Sequence, residues 1–191
     1  TTSFDVNVKE LIIPPVKKTG QTKSYSAAGG EVTDGSLKDD GFYQKGVDHN
    51  YTYAGGIVTD HVTGLMWRAS SVQKPWLTSE NANLCLYDTN SPACYDTSGD
   101  TAATYCSELT LGGYTDWRLP TVEELEGIVD YGKGAPVINA TFMHISPDGY
   151  WSSTTDEYYR NNAWYVDFYD GEVYCYSKFG NAYVRCVRAG E

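Results

Sequence analysis

The chain has 191 residues and a formal net charge of −11 at pH 7. A chain of this length is sufficient for one domain with a hydrophobic core, and its negative charge argues against a nucleic-acid partner. No apolar run approaches the roughly 18 residues that a membrane-spanning helix needs, so we expect membrane contact only through an anchor N-terminal to this chain.

The chain has five cysteines: Cys85, Cys94, Cys106, Cys175 and Cys186. None is part of a Cys-x-x-Cys pair, and the three histidines are scattered, which argues against a zinc site. We therefore predict no metal and no other cofactor. Disulfide bonds in an oxidising compartment explain the cysteines better, and the odd number leaves one thiol over.

The first part of the chain divides into a lead-in and a predicted hairpin. Pro and Gly residues punctuate residues 1–47, which predicts an irregular N-terminal lead-in or linker, and residues 48–191 form the predicted domain.

Residues 56–67 predict a β-hairpin, because two short apolar strands flank an Asp…Gly turn in which Gly64 suits a left-handed position. Residues 70–100 are rich in Ser, Asn, Asp and Thr, so we expect an insertion loop closed by a local Cys85–Cys94 bridge.

Two helices are predicted in the middle of the chain. Asp100 is placed to cap a helix over residues 101–109. Thr121 and Glu124 form a capping box for a second helix, whose apolar positions have helical spacing. Gly132 and Gly134 predict the end of that helix.

A second hairpin is predicted near the C-terminus. Asp170-Gly171 separates two runs of alternating residues, which is typical of a two-residue turn. This register pairs Val166 with Cys175 and Tyr165 with Tyr176. One face is the predicted core: Trp164, Val166, Phe168, Val173 and Cys175. The opposite face is predicted to meet solvent: Tyr165, Asp167, Tyr169, Glu172, Tyr174 and Tyr176. A last strand is expected over residues 182–188.

Several motifs in chain order carry a family resemblance. They are Thr63-Gly64-Leu65-Met66-Trp67, Leu111-Gly112-Gly113-Tyr114-Thr115-Asp116-Trp117-Arg118-Leu119-Pro120-Thr121, Tyr150-Trp151-Ser152-Ser153-Thr154, Ala163-Trp164-Tyr165-Val166-Asp167-Phe168 and Val184-Arg185-Cys186-Val187-Arg188. Over residues 48–188 the chain resembles the Lcl C-terminal domain family of bacterial proteins. The resemblance implies an α+β fold similar to C-type lectins and formylglycine-generating enzymes, with two helices packed on short antiparallel sheets and much irregular loop.

The same resemblance implies a location and a disulfide. Members of the family occur mostly on secreted or lipid-anchored bacterial surface proteins, and some bind glycans. In C-type-lectin-like domains the first helix is bridged to the last strand, and the matching residues here are Cys106 and Cys186.

The C-terminal segment also resembles variable proteins of diversity-generating retroelements, in which Asn codons are rewritten to Tyr, Asp, Ser, Cys, Phe or Gly. Tyr offers a large, rigid contact area with a polar tip, although β-sheets also favour Tyr for packing alone. The predicted ligand-binding residues are Tyr158, Tyr159, Asn161, Asn162, Tyr169, Asp170, Tyr174, Tyr176, Ser177, Phe179 and Asn181.

These observations predict a secreted or cell-surface bacterial module that recognises a protein or glycan on another cell or phage through a diversified Tyr-rich face. The alternatives are a glycan-binding adhesin domain and a structural cap that oligomerises a surface protein. No Ser-His-Asp order, phosphate loop or metal dyad stands out, so we predict no catalytic residue and no enzyme. Cys175 is interpreted as a small buried residue, with a reactive or intermolecular thiol as the alternative.

Overall fold

The computed structural model of the chain describes residues 15–190. In chain order its strands are β1 (Ser24–Tyr25), β2 (Glu31–Val32), β3 (Tyr51–Ala54), β4 (Ile57–Asp60), β5 (Leu65–Arg68), β6 (Val72–Pro75), β7 (Gly149–Thr155), β8 (Asn162–Asp167), β9 (Val173–Ser177), β10 (Asn181–Val184) and β11 (Val187–Ala189). Its helices are α1 (Asp40–Tyr43), α2 (Ser79–Tyr87), α3 (Ala102–Ser107) and α4 (Val122–Glu126), with a 3-10 turn at Pro92–Cys94.

The strands form three sheets, and the predicted mixed α+β class is confirmed. A ribbon pairs β1 with β2, a four-stranded sheet has the order β11-β5-β4-β3, and a five-stranded sheet has the order β6-β10-β7-β8-β9. Two details of the prediction are wrong. The described residues hold four α-helices rather than two, and β7 pairs with β10 in parallel within otherwise antiparallel sheets.

The predicted hairpin over residues 56–67 is confirmed as β4 and β5. Gly64 has a φ of +74°, the left-handed conformation that the turn requires. The Asp60 carboxylate accepts hydrogen bonds from the Val62 amide at 3.0 Å and the Thr63 hydroxyl at 2.6 Å, so side-chain bonds close the turn.

The helix α3 begins one residue later than predicted. Thr101 is its N-cap and accepts a hydrogen bond from the Thr104 amide at 3.3 Å. The predicted cap, Asp100, is instead an exposed residue whose carboxylate forms an ion pair with Lys74.

The capping box of α4 is confirmed, but the predicted end of this helix is wrong. Thr121 and Glu124 exchange their reciprocal hydrogen bonds. The helix ends at Gly127 rather than at Gly132. Val129 cannot continue the helix, because it forms a β-bridge with Ile138.

The predicted insertion loop over residues 70–100 contains both β6 and α2, so this prediction is wrong. Thr78 caps α2 and accepts a hydrogen bond from the Asn81 amide. The helix buries only Ala82 and Cys85 and leaves its larger apolar side chains in solvent, so it lacks the apolar stripe that marks a helix in sequence. The predicted Cys85–Cys94 bridge is confirmed.

Two hydrophobic cores cover the two faces of the five-stranded sheet. The first core contains Trp76, Trp117 and Trp151 together with the Cys106–Cys186 disulfide, which confirms the pairing that the family resemblance implies. The second core lies between this sheet and the four-stranded sheet and includes Trp67, Leu125, Phe142, Tyr150 and Phe168.

The predicted last strand over residues 182–188 is divided between the two larger sheets. The chain leaves β10 at Arg185, whose side chain is fully buried, and β11 begins at Val187. The Arg185 guanidinium donates to the carbonyl oxygens of Arg68 and Ala69 and lies over the rings of two core aromatic residues. These bonds hold the chain where it crosses between sheets.

The described part of the lead-in packs on the domain, while residues 1–14 lie outside the described residues. The Lys17 side chain is largely buried and pairs with Asp60, and its ammonium group also donates to the Gly127 carbonyl oxygen at 2.9 Å. The Tyr131 amide donates to the Thr19 carbonyl oxygen at 2.8 Å. A division between residues 1–47 and 48–191 stays a prediction.

Candidate functional site

The C-terminal hairpin forms with a register two residues away from the predicted one. Tyr165 pairs with Tyr174, and Val166 pairs with Val173. The connection is longer than a two-residue turn, because the Gly171 amide donates to the Asp167 carbonyl oxygen at 2.8 Å. A shift of two residues leaves each side chain on its predicted face, since the strand period is two.

Three tyrosines, Tyr165, Tyr174 and Tyr176, lie on one face of β8 and β9, and we call this surface the tyrosine face. The Trp151 ring lies beneath it, with its centroid 6.2 Å from that of Tyr165 and 5.7 Å from that of Tyr176. Trp151 is fully buried, whereas Tyr174 and Tyr176 are 39% and 44% exposed. The tyrosine face is therefore the solvent-exposed continuation of the first core.

The predicted division of this hairpin into one buried and one exposed face is wrong in part. Ala163 is buried on the side of the tyrosine face, whereas Trp164 is half-buried and Cys175 is exposed on the predicted core side. Both faces are covered in the middle of the sheet, and cover is lost at β9 because it is the edge strand. Burial here follows distance from the edge as well as the alternation of side chains.

Carboxylates surround one end of the tyrosine face: Asp148, Asp167, Asp170 and Glu172. The Tyr174 hydroxyl donates to the Glu172 carboxylate, and this bond, with a smaller effect of burial, raises the pKa of Tyr174 to about 12. Burial, followed by Asp167 and Asp148, also raises the pKa of Tyr165. None of these four carboxylates forms a salt bridge within residues 15–190. We call these carboxylates the acidic rim.

The exposed Tyr158 and Tyr159 lie in residues 156–161, which we call the tyrosine turn. The buried Asp156 carboxylate accepts hydrogen bonds from the Tyr158 amide at 2.9 Å and the Tyr159 amide at 3.1 Å. Burial raises the pKa of Asp156, but these amides, the Cys175 thiol and Lys178 together outweigh burial and hold it below its usual value. The turn is thus fixed by a buried anion, while Tyr158 is 84% exposed.

The structure corrects the interpretation of Cys175 as a buried residue. Its side chain is exposed, because β9 is the edge strand of its sheet, and its thiol is in no disulfide. Partial desolvation and the nearby Asp156 carboxylate raise the pKa of the Cys175 thiol. The thiolate is the reactive form of cysteine, so this environment does not favour a nucleophile at neutral pH.

Lys178 is the main site residue that sequence reasoning missed. Its ammonium group is buried and donates to the carbonyl oxygens of Cys94 at 2.7 Å and Arg160 at 2.8 Å, and to the Thr155 hydroxyl at 3.0 Å. It lies 4.1 Å from the centroid of the Trp76 ring, and burial lowers its pKa to about 8. The signal in sequence was a single basic residue between two uncharged strands.

A polar cleft of about 300 Å³ lies between the tyrosine turn and the loop that follows α2. The Arg160 guanidinium donates to the Asn90 side-chain oxygen at 2.9 Å across this cleft. Asn161 lines the same cleft and accepts the Lys178 amide through its carbonyl oxygen.

The remaining predicted site residues fall around these surfaces. Tyr169 is 63% exposed in the hairpin loop beside Asp170, and Phe179 is 37% exposed in the turn after β9. Asn162 and Ser177 pair at the end of the hairpin that adjoins the tyrosine turn, and both are half-buried. Asn181 is exposed but lies on β10, where it pairs with Pro75. The sites themselves stay predictions.

Residues 15–190 contain no group of three His, Cys, Asp or Glu side chains that is arranged to hold a metal ion. None of the helices within that same range has the length and apolarity that crossing a membrane requires.

The chain matches a known protein family. The sequence profile of the family described as the Lcl C-terminal domain matches residues 56–188, which is more than half of the chain. No curated protein matches this sequence.

Proposed function

Because the chain belongs to the Lcl C-terminal domain family, we propose that it is a ligand-binding module with a C-type-lectin-like scaffold. In this proposal the domain belongs to a secreted or cell-surface bacterial protein, with or without a lipid anchor. It recognises a protein or glycan on another cell or phage, and its role is binding rather than catalysis.

The observation that carries the proposal is a concentration of exposed aromatic side chains near the C-terminus. They are Tyr158, Tyr159, Tyr169, Tyr174, Tyr176 and Phe179. Large apolar side chains that cluster in solvent mark interaction surfaces, and Tyr binds partners at small cost in conformational entropy. A second observation also supports the proposal. Buried groups such as Asp156 and Lys178 hold the backbone that displays these aromatic side chains.

The two disulfides support the proposed compartment. Cys85–Cys94 and Cys106–Cys186 both have bonding geometry, and disulfides persist in oxidising environments outside the cytosol.

Diversification by a retroelement is part of the proposal. The exposed positions carry the residue types that adenine-targeted rewriting of Asn codons produces, with Tyr most frequent among them. Sequencing the flanking DNA tests this point. We expect a near-copy of the C-terminal coding segment that differs only at adenines, beside a reverse transcriptase gene. Its absence would contradict diversification and leave the binding proposal in place.

Binding through the tyrosine face is tested with a double variant, Tyr174→Ala with Tyr176→Ala. The wild-type domain is screened against a glycan array and a phage-displayed peptide library, and the variant is measured against each binder. We expect at least a tenfold loss of affinity with a Tm that changes by only a few degrees. The matched control replaces Tyr25 and Tyr53, which are each 49% exposed far from the face in sequence, and should bind as the wild type does. Unchanged binding by the first variant, or its global unfolding, would contradict the proposal.

A further inference from the structure

The strand β9 is an edge whose backbone is open to a partner. It pairs with β8 alone. The Asp167 amide donates to the Glu172 carbonyl oxygen and the Lys178 amide to the Asn161 carbonyl oxygen, each at 2.9 Å. These bonds show which residues of β9 direct their backbone groups toward β8. Alternate residues of an antiparallel edge strand direct their backbone groups inward and outward. Tyr174 and Tyr176 therefore bond β8, whereas the amide and carbonyl groups of Val173 and Cys175 point away from the sheet.

This edge lacks the features that usually protect edge strands. Natural proteins block such edges with charged side chains, Pro or bulges. The five residues of β9, Val-Tyr-Cys-Tyr-Ser, include neither a charge nor a Pro, and the central three are all exposed. The opposite edge of the same sheet, β6, carries both Lys74 and Pro75. The two edges are thus built differently, and only the edge beside the tyrosine face is left open.

Charge around β9 selects between the possible occupants. Asp170 and Glu172 of the acidic rim flank the start of the strand, and neither forms a salt bridge in the described part of the chain. A second copy of the chain would bring its own rim and its own net charge of −11 to this edge, which is electrostatically unfavourable. A basic segment would instead be attracted, and its Lys or Arg side chains would lie near Tyr rings that favour cations.

We propose that β9 is a docking strand, to which an extended basic segment of a partner protein adds as a sixth strand through the backbone groups of Val173 and Cys175. This mode of recognition takes affinity from main-chain hydrogen bonds and specificity from the side chains beside them. The proposal rests on the proposed binding role of the tyrosine face and specifies its ligand as a protein segment.

Synthetic peptides test the class of ligand. The probe is a ten-residue peptide that alternates Lys with Val or Thr, and its two controls replace every Lys by Glu or methylate alternate backbone amides of the Lys peptide. We expect the unmodified Lys peptide to bind at least tenfold more tightly than either control, measured by fluorescence anisotropy at low salt. Equal binding of the methylated peptide would overturn the proposal, since charge alone would then explain the affinity.

A variant pair tests the backbone of β9. Cys175→Pro removes an amide that points away from the sheet, whereas Cys175→Ala keeps that amide and removes the same thiol. We expect the Pro variant to bind the Lys peptide at least tenfold more weakly, and the Ala variant to bind as the wild type does. Equal binding by a folded Pro variant would overturn the proposal.

Amide hydrogen exchange on the wild-type protein provides a test that does not depend on the folding of a variant. Without peptide, the amides of Val173 and Cys175 should exchange faster than those of Tyr174 and Tyr176. With the Lys peptide, Val173 and Cys175 should become protected. No change at these two amides would overturn the proposal, as would a dimer that protects them in the absence of peptide.

The outcomes also separate this proposal from the proposed function. Library binders that are lost in the Tyr174→Ala/Tyr176→Ala variant but retained in Cys175→Pro would support the tyrosine face and overturn docking on the strand. If both variants keep the library binders, binding through the tyrosine face and docking on β9 are both contradicted.

Discussion

The ammonium group of Lys178 donates a hydrogen bond to the carbonyl oxygen of Arg160, 2.8 Å away. The same group reaches the carbonyl oxygen of Cys94, so one buried cation joins the tyrosine turn to the disulfide-closed loop after α2. No carboxylate forms a salt bridge with Lys178 in the described residues. The ion is held by oxygen dipoles and by the face of Trp76, and its position depends on three separate segments of the chain.

Replacing Lys178 by Met tests this role. The substitution keeps an unbranched side chain but leaves the carbonyl oxygens of Cys94 and Arg160 buried without a donor. We expect the free energy of unfolding to fall by about 2–4 kcal/mol, because each unsatisfied buried polar group costs about 1–3 kcal/mol. Urea denaturation measures the loss. Lys133→Met is the control, since Lys133 is exposed, and it should change stability little. An effect of similar size in both variants would contradict the role of Lys178.

The pH dependence of stability should carry the signature of this buried amine. Burial lowers the pKa of Lys178 to about 8, from 10.5 for an ordinary Lys. Between pH 8 and 10.5 the unfolded chain therefore binds more protons at this position than the folded chain, and stability due to Lys178 rises with pH in that window. Below pH 8 this contribution should be constant.

Wild type and Lys178→Met should be compared at pH 7, 8, 9 and 10, so that other titrating groups cancel in the difference. We expect the stability advantage of the wild type to increase with each step above pH 8. A constant or decreasing advantage would show that the amine titrates normally in the folded state.

The two disulfides should contribute unequally to stability. Cys106–Cys186 joins residues 80 positions apart, whereas Cys85–Cys94 joins residues 9 positions apart. Loop-closure entropy predicts losses of about 4–5 kcal/mol for the first and about 2–3 kcal/mol for the second on replacement of each pair by Ala. Both variants should carry Cys175→Ala, which removes the free thiol and prevents exchange. Equal losses in denaturation experiments would contradict this ranking.

Sequence reasoning succeeded where local chemistry decides the structure. The α4 capping box requires only Thr121 and Glu124 in their spacing, and the Cys85–Cys94 bridge needs only two nearby residues. The alternation of side chains between the two faces of the C-terminal hairpin was also predicted, because the side-chain period of a strand is two.

Features that depend on tertiary position were missed. The exposure of Cys175 follows from the place of β9 at the edge of its sheet, and strand order is not encoded in the alternation of one hairpin. Lys178 is buried only because segments near Cys94 and Arg160 meet around it. The crossing at Arg185 likewise depends on acceptors in a distant strand.

The tyrosine face depends on the absence of a side chain at Gly149. A Cβ at this position would lie 1.8 Å from Cε2 of Tyr165, so Gly149→Ala must displace that ring from its contacts with Trp151 and Tyr174. We expect a loss of about 1–3 kcal/mol, typical of overpacking, with a change in the aromatic circular dichroism signal. Gly134→Ala is the control, because nothing lies within 4 Å of its Cβ position. In the Tyr165→Ala background the same Gly149→Ala change should cost at least about 1 kcal/mol less, since residues in contact couple. An equal cost in both backgrounds would mean that the Tyr165 ring does not lie over Gly149, and the tyrosine face would then need a different packing.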